Sequence, residues 1–171
     1  YEYTQESGIL RRDMVPEGIS DEVFKGYSAY IEESGRKIRE VYPEGLMAPV
    51  IRALKENPDL NVTYTTLYDE NFGLSDEILD NTDVLIWWAH ISHDAVPDSL
   101  ADKVVERIQR GMGCIFLHSA HKSKPFMKIM GTTGTLRWRN GDFCRLWNTC
   151  PTHPIAAGAP EYIDLPEEEM Y

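Results

Sequence analysis

Val84-Leu85-Ile86-Trp87-Trp88-Ala89-His90-Ile91-Ser92-His93-Asp94 is the stretch that decides how this chain reads. Its first six residues are continuously apolar, bounded by Asp83 and His90, and far short of a bilayer span. A run of that length and composition predicts a strand of a parallel sheet, covered on both faces. The polar residues that follow would then stand at the carboxyl end of the strand, where open parallel sheets bind ligands.

Working outward, Ser99–Arg110 has Leu100, Val104, Val105 and Ile108 on one helical face, with Gly111 as its stop. Cys114–Leu117 (CIFL) predicts a second buried strand, and Lys124–Met130 a short helix. Upstream, Ser75–Leu79 reads as a short helix opened by Ser75. Asn61–Leu67 (NVTYTTL) is β-branched and alternating, and predicts another strand. Leu46, Val50, Ile51 and Leu54 form a helical stripe that Asn57-Pro58 ends. A longer helix starts at Ser20-Asp21-Glu22, carries Phe24, Tyr27, Ile31, Ile38 and Val41, and breaks at Tyr42-Pro43-Glu44-Gly45. Residues 1–19 have no apolar period and read as an arm. Beyond Gly131, strand-like pieces surround Leu136-Arg137-Trp138 and Arg145-Leu146-Trp147, and proline-rich Pro151–Pro166 reads as coil. Alternating strands and helices imply right-handed crossovers and an α/β fold: a mainly parallel sheet with helices on both faces.

Composition narrows the function. The 171 residues suffice for a domain with its own core, and 42% hydrophobic with 26% charged residues is ordinary globular usage. A net charge of −11 argues against a nucleic-acid partner, whose binding needs clustered basic residues, and against an anionic membrane surface. Three cysteines (Cys114, Cys144, Cys150) make no paired framework, which suits a reducing, cytoplasmic setting. The opening Tyr1-Glu2-Tyr3 without an initiator Met, and the ending within Glu167-Glu168-Glu169-Met170-Tyr171, lead us to expect a fragment of a longer protein.

The five histidines fall between residues 90 and 153. His90 and His93 follow the first strand, and His118 and His121 follow Cys114–Leu117, each pair with H-x-x-H spacing. His153 lies in a later loop, and Asp94 and Asp98 add carboxylates. Such a cluster fits a divalent metal such as Zn, with His90, His93, His118, His121 and His153 as candidate ligands. It equally fits acid–base catalysis, with His90, His118 and His121 as the catalytic candidates. Ser119 sits where a nucleophile elbow would be, but G-x-S-x-G is absent and Cys114 lies inside the strand, so a hydrogen-bonding role is expected for it. Arg137, Trp138 and Arg139, with Arg145 and Trp147, form the one basic–aromatic patch and are candidate sugar contacts; an alternating hairpin would give the same pattern. Lys122 and Lys124 read as solvated helix-start residues.

Six ordered motifs carry a family resemblance: Tyr42-Pro43-Glu44-Gly45, Trp87–Asp94, Leu117–Lys124, Met130-Gly131-Thr132-Thr133, His153-Pro154-Ile155 and Glu168-Glu169-Met170-Tyr171. Together they resemble the trehalose-utilisation ThuA family. The resemblance implies a class I glutamine-amidotransferase-like, flavodoxin-like fold and a bacterial role in using trehalose or a related disaccharide, including 3-keto sugars. It implies residues 1–40 as an N-terminal arm or insertion with a helix, and 41–171 as a ThuA-like domain lacking the family's first strand and its C-terminal part. Against the family pattern, Ala120 replaces a usual Gly and Gly134 a usual Cys. The elbow has Ser119 rather than Cys, so a glutamine amidotransferase is disfavoured. Two classes stay open: a metal-assisted enzyme of disaccharide catabolism, and a non-catalytic sugar-binding or regulatory domain. The expected partner is a small-molecule carbohydrate, with no nucleic acid and no membrane; a homo-oligomer is left open.

Overall fold

The computed structural model describes residues 2–3, 10–12, 15, 17–90 and 92–171, with Glu2 and Tyr3 described by backbone alone. The chain divides into two compact units, Tyr1–Gly134 and Thr135–Tyr171.

The first unit contains β1 (Glu2–Tyr3), α1 (Asp21–Val41), α2 (Ala48–Lys55), α3 (Asp76–Asp80), β2 (Val84–Ala89), α4 (Asp98–Gln109), β3 (Gly113–Leu117) and α5 (Lys124–Met130). The two serine starts are real caps: Ser20 accepts the Val23 N–H and Ser75 the Ile78 N–H, each satisfying a donor that the first turn leaves open. The sheet runs β1-β2-β3, parallel throughout. Its register pairs Leu85 with Cys114 and Trp87 with Phe116, so these four side chains share one face. That face is the core. Leu85, Trp87 and Ala89 are buried together with Leu79 of α3 and Val104 of α4, and Phe116 packs edge-on against Phe126 of α5 at 5.3 Å. Leu67, Leu74, Val96, Met112 and Ala120 complete it. Among the described residues no helix is long and apolar enough to cross a membrane.

The α/β class and the parallel sheet agree with the sequence; four finer expectations do not. Asn61–Leu67 is not a strand. Residues 61–65 have no regular structure, and the Asp69 carboxylate takes the Thr66 N–H at 2.6 Å and turns the chain there. Such local side-chain bonds compete with a ladder. The sheet's third strand is Glu2–Tyr3, paired with Trp88 and Ala89, so the expected arm carries a strand and that side of β2 is not without a partner. Thirdly, the strands are not covered on both faces: Val84 is 57% and Ile115 49% exposed. A continuously apolar run favours extended backbone but does not say which faces a helix will cover. Finally, α2 buries none of its residues, so its stripe is not packed into the core.

The second unit is an antiparallel pair, β4 (Arg139–Trp147) with β5 (Tyr162–Met170). Leu136-Arg137-Trp138 therefore precedes the first strand rather than forming one. The expected coil includes a strand as well. Pro166 is tolerated because the register shifts between Cys144↔Leu165 and Asp142↔Glu168, and Glu167 turns to φ 59°. An irregularity of this kind removes the need for a proline N–H in the ladder.

The two faces of β2–β3 predict unequal mutations. Trp87→Ala should cost about 3–5 kcal/mol in urea unfolding. Ile115→Thr, on the open face, should stay within about 0.5 kcal/mol.

Candidate functional site

Because β2 and β3 are parallel neighbours in register at Trp88 and Leu117, both strands deliver their next residues to one rim. His90 follows β2 and His118 follows β3. Both loops leave their strands through left-handed backbone, at Ser92 (φ 54°) and His118 (φ 47°). That conformation costs a non-glycine residue energy and clusters at functional sites. The strained residue directly after β3 is His118, not Ser119, so the imidazole occupies the apex of the elbow.

Ser119 stands one residue on and joins the two strand ends. Its hydroxyl donates to the Ala89 carbonyl at 2.8 Å and lies 3.0 Å from His90 Nδ1. A hydroxyl has one proton. With that proton on Ala89, Nδ1 of His90 carries hydrogen and donates to Ser119, which leaves the basic lone pair on Nε2. Ser119 thus sets the tautomer of His90, in keeping with the hydrogen-bonding role expected from sequence. The His90 and His118 rings stack at 6.1 Å between centroids, 14° from parallel.

His93 opens the short turn His93–Ala95. Burial, then the charge of neighbouring His121, pushes its pKa from an ordinary 6.5 down to about 4. Its Nδ1 is buried with no hydrogen-bond partner among the described residues. Neutral and unsatisfied, His93 offers a ligand one polar atom inside the rim. The His121 backbone lies close against Gly134: a Cβ at Gly134 (φ +60°) would lie 2.5 Å from the His121 carbonyl oxygen. The departure from a usual Cys at 134 is therefore coupled to the path of the histidine loop. Ala120 is fully buried in the core and pins the same loop.

Sequence reasoning misassigned Lys124 and Asp98. Lys124 is not solvated; its ammonium donates to the Val96 carbonyl at 2.7 Å and pairs with Asp98 at 3.5 Å. It stitches the loop after β2 to the start of α5. Asp98, expected among the rim carboxylates, is engaged by Lys124 and Lys128. These contacts span more than twenty residues and leave no local sequence signal. Lys122 reaches the Thr133 carbonyl at 3.3 Å. Asp94 stays exposed and acts on His93 only as a nearby charge. Burial raises the Cys114 thiol to about 11, which makes it inert as a nucleophile.

The remaining candidates lie in the second unit. His153 caps the turn Pro154–Ala156, its Nδ1 accepting the Ile155 N–H at 3.2 Å. Arg137 and Trp138 are exposed, and Arg139 pairs with Asp142. A hairpin is observed over Arg139–Trp147 and Tyr162–Met170, but Trp138 and Trp147 are exposed rather than alternately buried.

Among the described residues no three His, Cys, Asp or Glu side chains come together as a metal site. His90, His93, His118 and His121 are the residues that would supply nitrogens to a divalent metal at this rim.

Residues 28–171 match the family profile ThuA, trehalose utilisation. The chain belongs to the ThuA family. No curated protein matches it at a significant level. The family match runs through both units, and it takes in the whole rim of this ThuA chain and its hairpin.

Two outcomes are expected. Between pH 6.5 and about 4 the unfolded chain protonates His93 while the fold keeps it neutral, so stability is complete above pH 6.5 and declines as pH falls. The loss should reach about 1–3 kcal/mol at the acid end. His93→Asn should remove that part of the slope in urea titrations at pH 4.5 and 7. Gly134→Ala should lower stability by about 1–3 kcal/mol, since it combines a left-handed backbone with a backbone clash. NMR shifts should show His121 moving with it.

Proposed function

We propose that this ThuA chain acts on trehalose, a related disaccharide or a 3-keto derivative by acid–base catalysis at the histidine rim. The observation that carries the reading is the relay from the Ala89 carbonyl through Ser119 to His90, set beside the imidazole of His118. A base whose tautomer is fixed by a hydrogen-bonded partner is already oriented for proton transfer. His90 Nε2 is the assigned base, and His118, at the strained apex, the group that returns the proton. A keto sugar offers this pair an acidified C–H beside its carbonyl; an unmodified disaccharide offers the glycosidic oxygen. His93 contributes a neutral hydrogen-bonding nitrogen, with His121 next to it. Ser119 is a positioning residue.

Turnover of trehalose and of its 3-keto derivative by the full-length protein tests the reading. His90→Ala and His118→Ala should each lower kcat/KM by about 10²–10⁴. Ser119→Ala should lower kcat by about tenfold, with the acid limb of the pH profile shifted, because only orientation is lost. A covalent sugar adduct on Ser119 would make it a nucleophile and overturn the assignment. Activity lost to a chelator and restored by Zn would make the rim a metal centre instead. Saturable sugar binding with no turnover would favour a non-catalytic sugar-binding domain.

A further inference from the structure

We propose that the β4–β5 hairpin carries a second binding face, for a neutral saccharide, built from Phe143, Arg145, Trp147, Tyr162 and Asp164. Directly opposed residues of an antiparallel pair share a face. The register sets Arg145 against Asp164 and Trp147 against Tyr162, and so places these four together. Phe143 joins them, since the Arg145 guanidinium lies 5.8 Å from its ring as well as 5.6 Å from Trp147 and 4.2 Å from Tyr162. The opposite face presents Leu146 and Ile163, with no hydrogen-bonding side-chain groups on either.

The chemistry of this face selects its ligand. Arg145 and Asp164 form a two-point ion pair, Nε to Oδ1 at 2.6 Å and Nη2 to Oδ2 at 2.8 Å. The guanidinium is already paired with a carboxylate and seated over the Tyr162 ring, so neither a further anion nor a further cation gains much. What remains is a neutral platform with fixed donors and acceptors. Around it Phe143 is 60%, Trp147 57% and Tyr162 42% exposed. Flat rings beside a planar donor–acceptor pair match a pyranose, whose C–H face stacks while its hydroxyls bond at the edge. Exposed ion pairs contribute only about 0–1 kcal/mol to folding, so hairpin stability alone gives weak reason for this arrangement. The inference is independent of the catalytic reading of the rim, and the residues expected at 137–139 are not part of it.

The test uses the full chain with His90→Ala and His118→Ala in place, titrated with trehalose and followed by saturation-transfer NMR. Trehalose should still bind. Adding Trp147→Ala should weaken binding about tenfold, the scale of one lost ring contact. Trp147→Tyr should retain it within about threefold, which separates loss of the ring from loss of the hairpin. Arg145→Lys should weaken it too, because a point charge cannot reproduce the fork. The proposal is overturned if trehalose does not bind the rim-deleted chain, or binds it equally well with and without Trp147. Turnover by the wild-type protein is read separately, so failure at the hairpin and failure at the rim are told apart.

Discussion

The in-register parallel pairing of β2 with β3 is the constraint on which the site depends. Leu85 opposite Cys114 and Trp87 opposite Phe116 bring the alternating side chains of both strands to the same core face. The same register makes the strands end together, at Ala89 and Leu117. A slip of one residue would turn Trp87 out of the core and move His90 away from Ser119. Burial of Trp87, at 1% exposure, is thus what holds the histidine rim in alignment.

Two cross-strand stitches then convert proximity into geometry. Ser119 bridges the end of β2, and Lys124 reaches the Val96 carbonyl on the far side of the same loop. Each satisfies a carbonyl that a loop would otherwise leave to water. Gly134 makes the third constraint by allowing its own backbone to press against His121. The rim is therefore held mainly by backbone carbonyls and packing, with Asp98 reaching it only through Lys124. This accounts for a histidine cluster in which Asp98 pairs with lysines rather than histidines and Asp94 remains in solvent.

The hairpin of the second unit works on another principle. Its ordered feature is an ion pair flanked by rings on a ribbon, where side-chain identity alternates by face. A histidine rim suits proton transfer, whereas a neutral aromatic platform suits recognition. A family concerned with trehalose utilisation has chemical use for both.

Much of this was legible in the sequence because it is local. The serine caps, the stripes of α1 and α4, the strand-length apolar runs and the H-x-x-H pairs all depend on residues within a turn or two of one another. The motifs from Trp87 to Asp94 and from Leu117 to Lys124 pointed to ThuA for the same reason, since each is a contiguous strand end. What only the tertiary structure decided was long-range. It gave the strand beside β2 to Glu2–Tyr3 rather than Asn61–Leu67, left Val84 and Ile115 open, placed the strain on His118, and drew Ser119, Lys124 and Gly134 into the rim. Propensity reports how a segment prefers to sit; which distant carbonyl or side chain it meets is set by packing, and no local pattern encodes that choice.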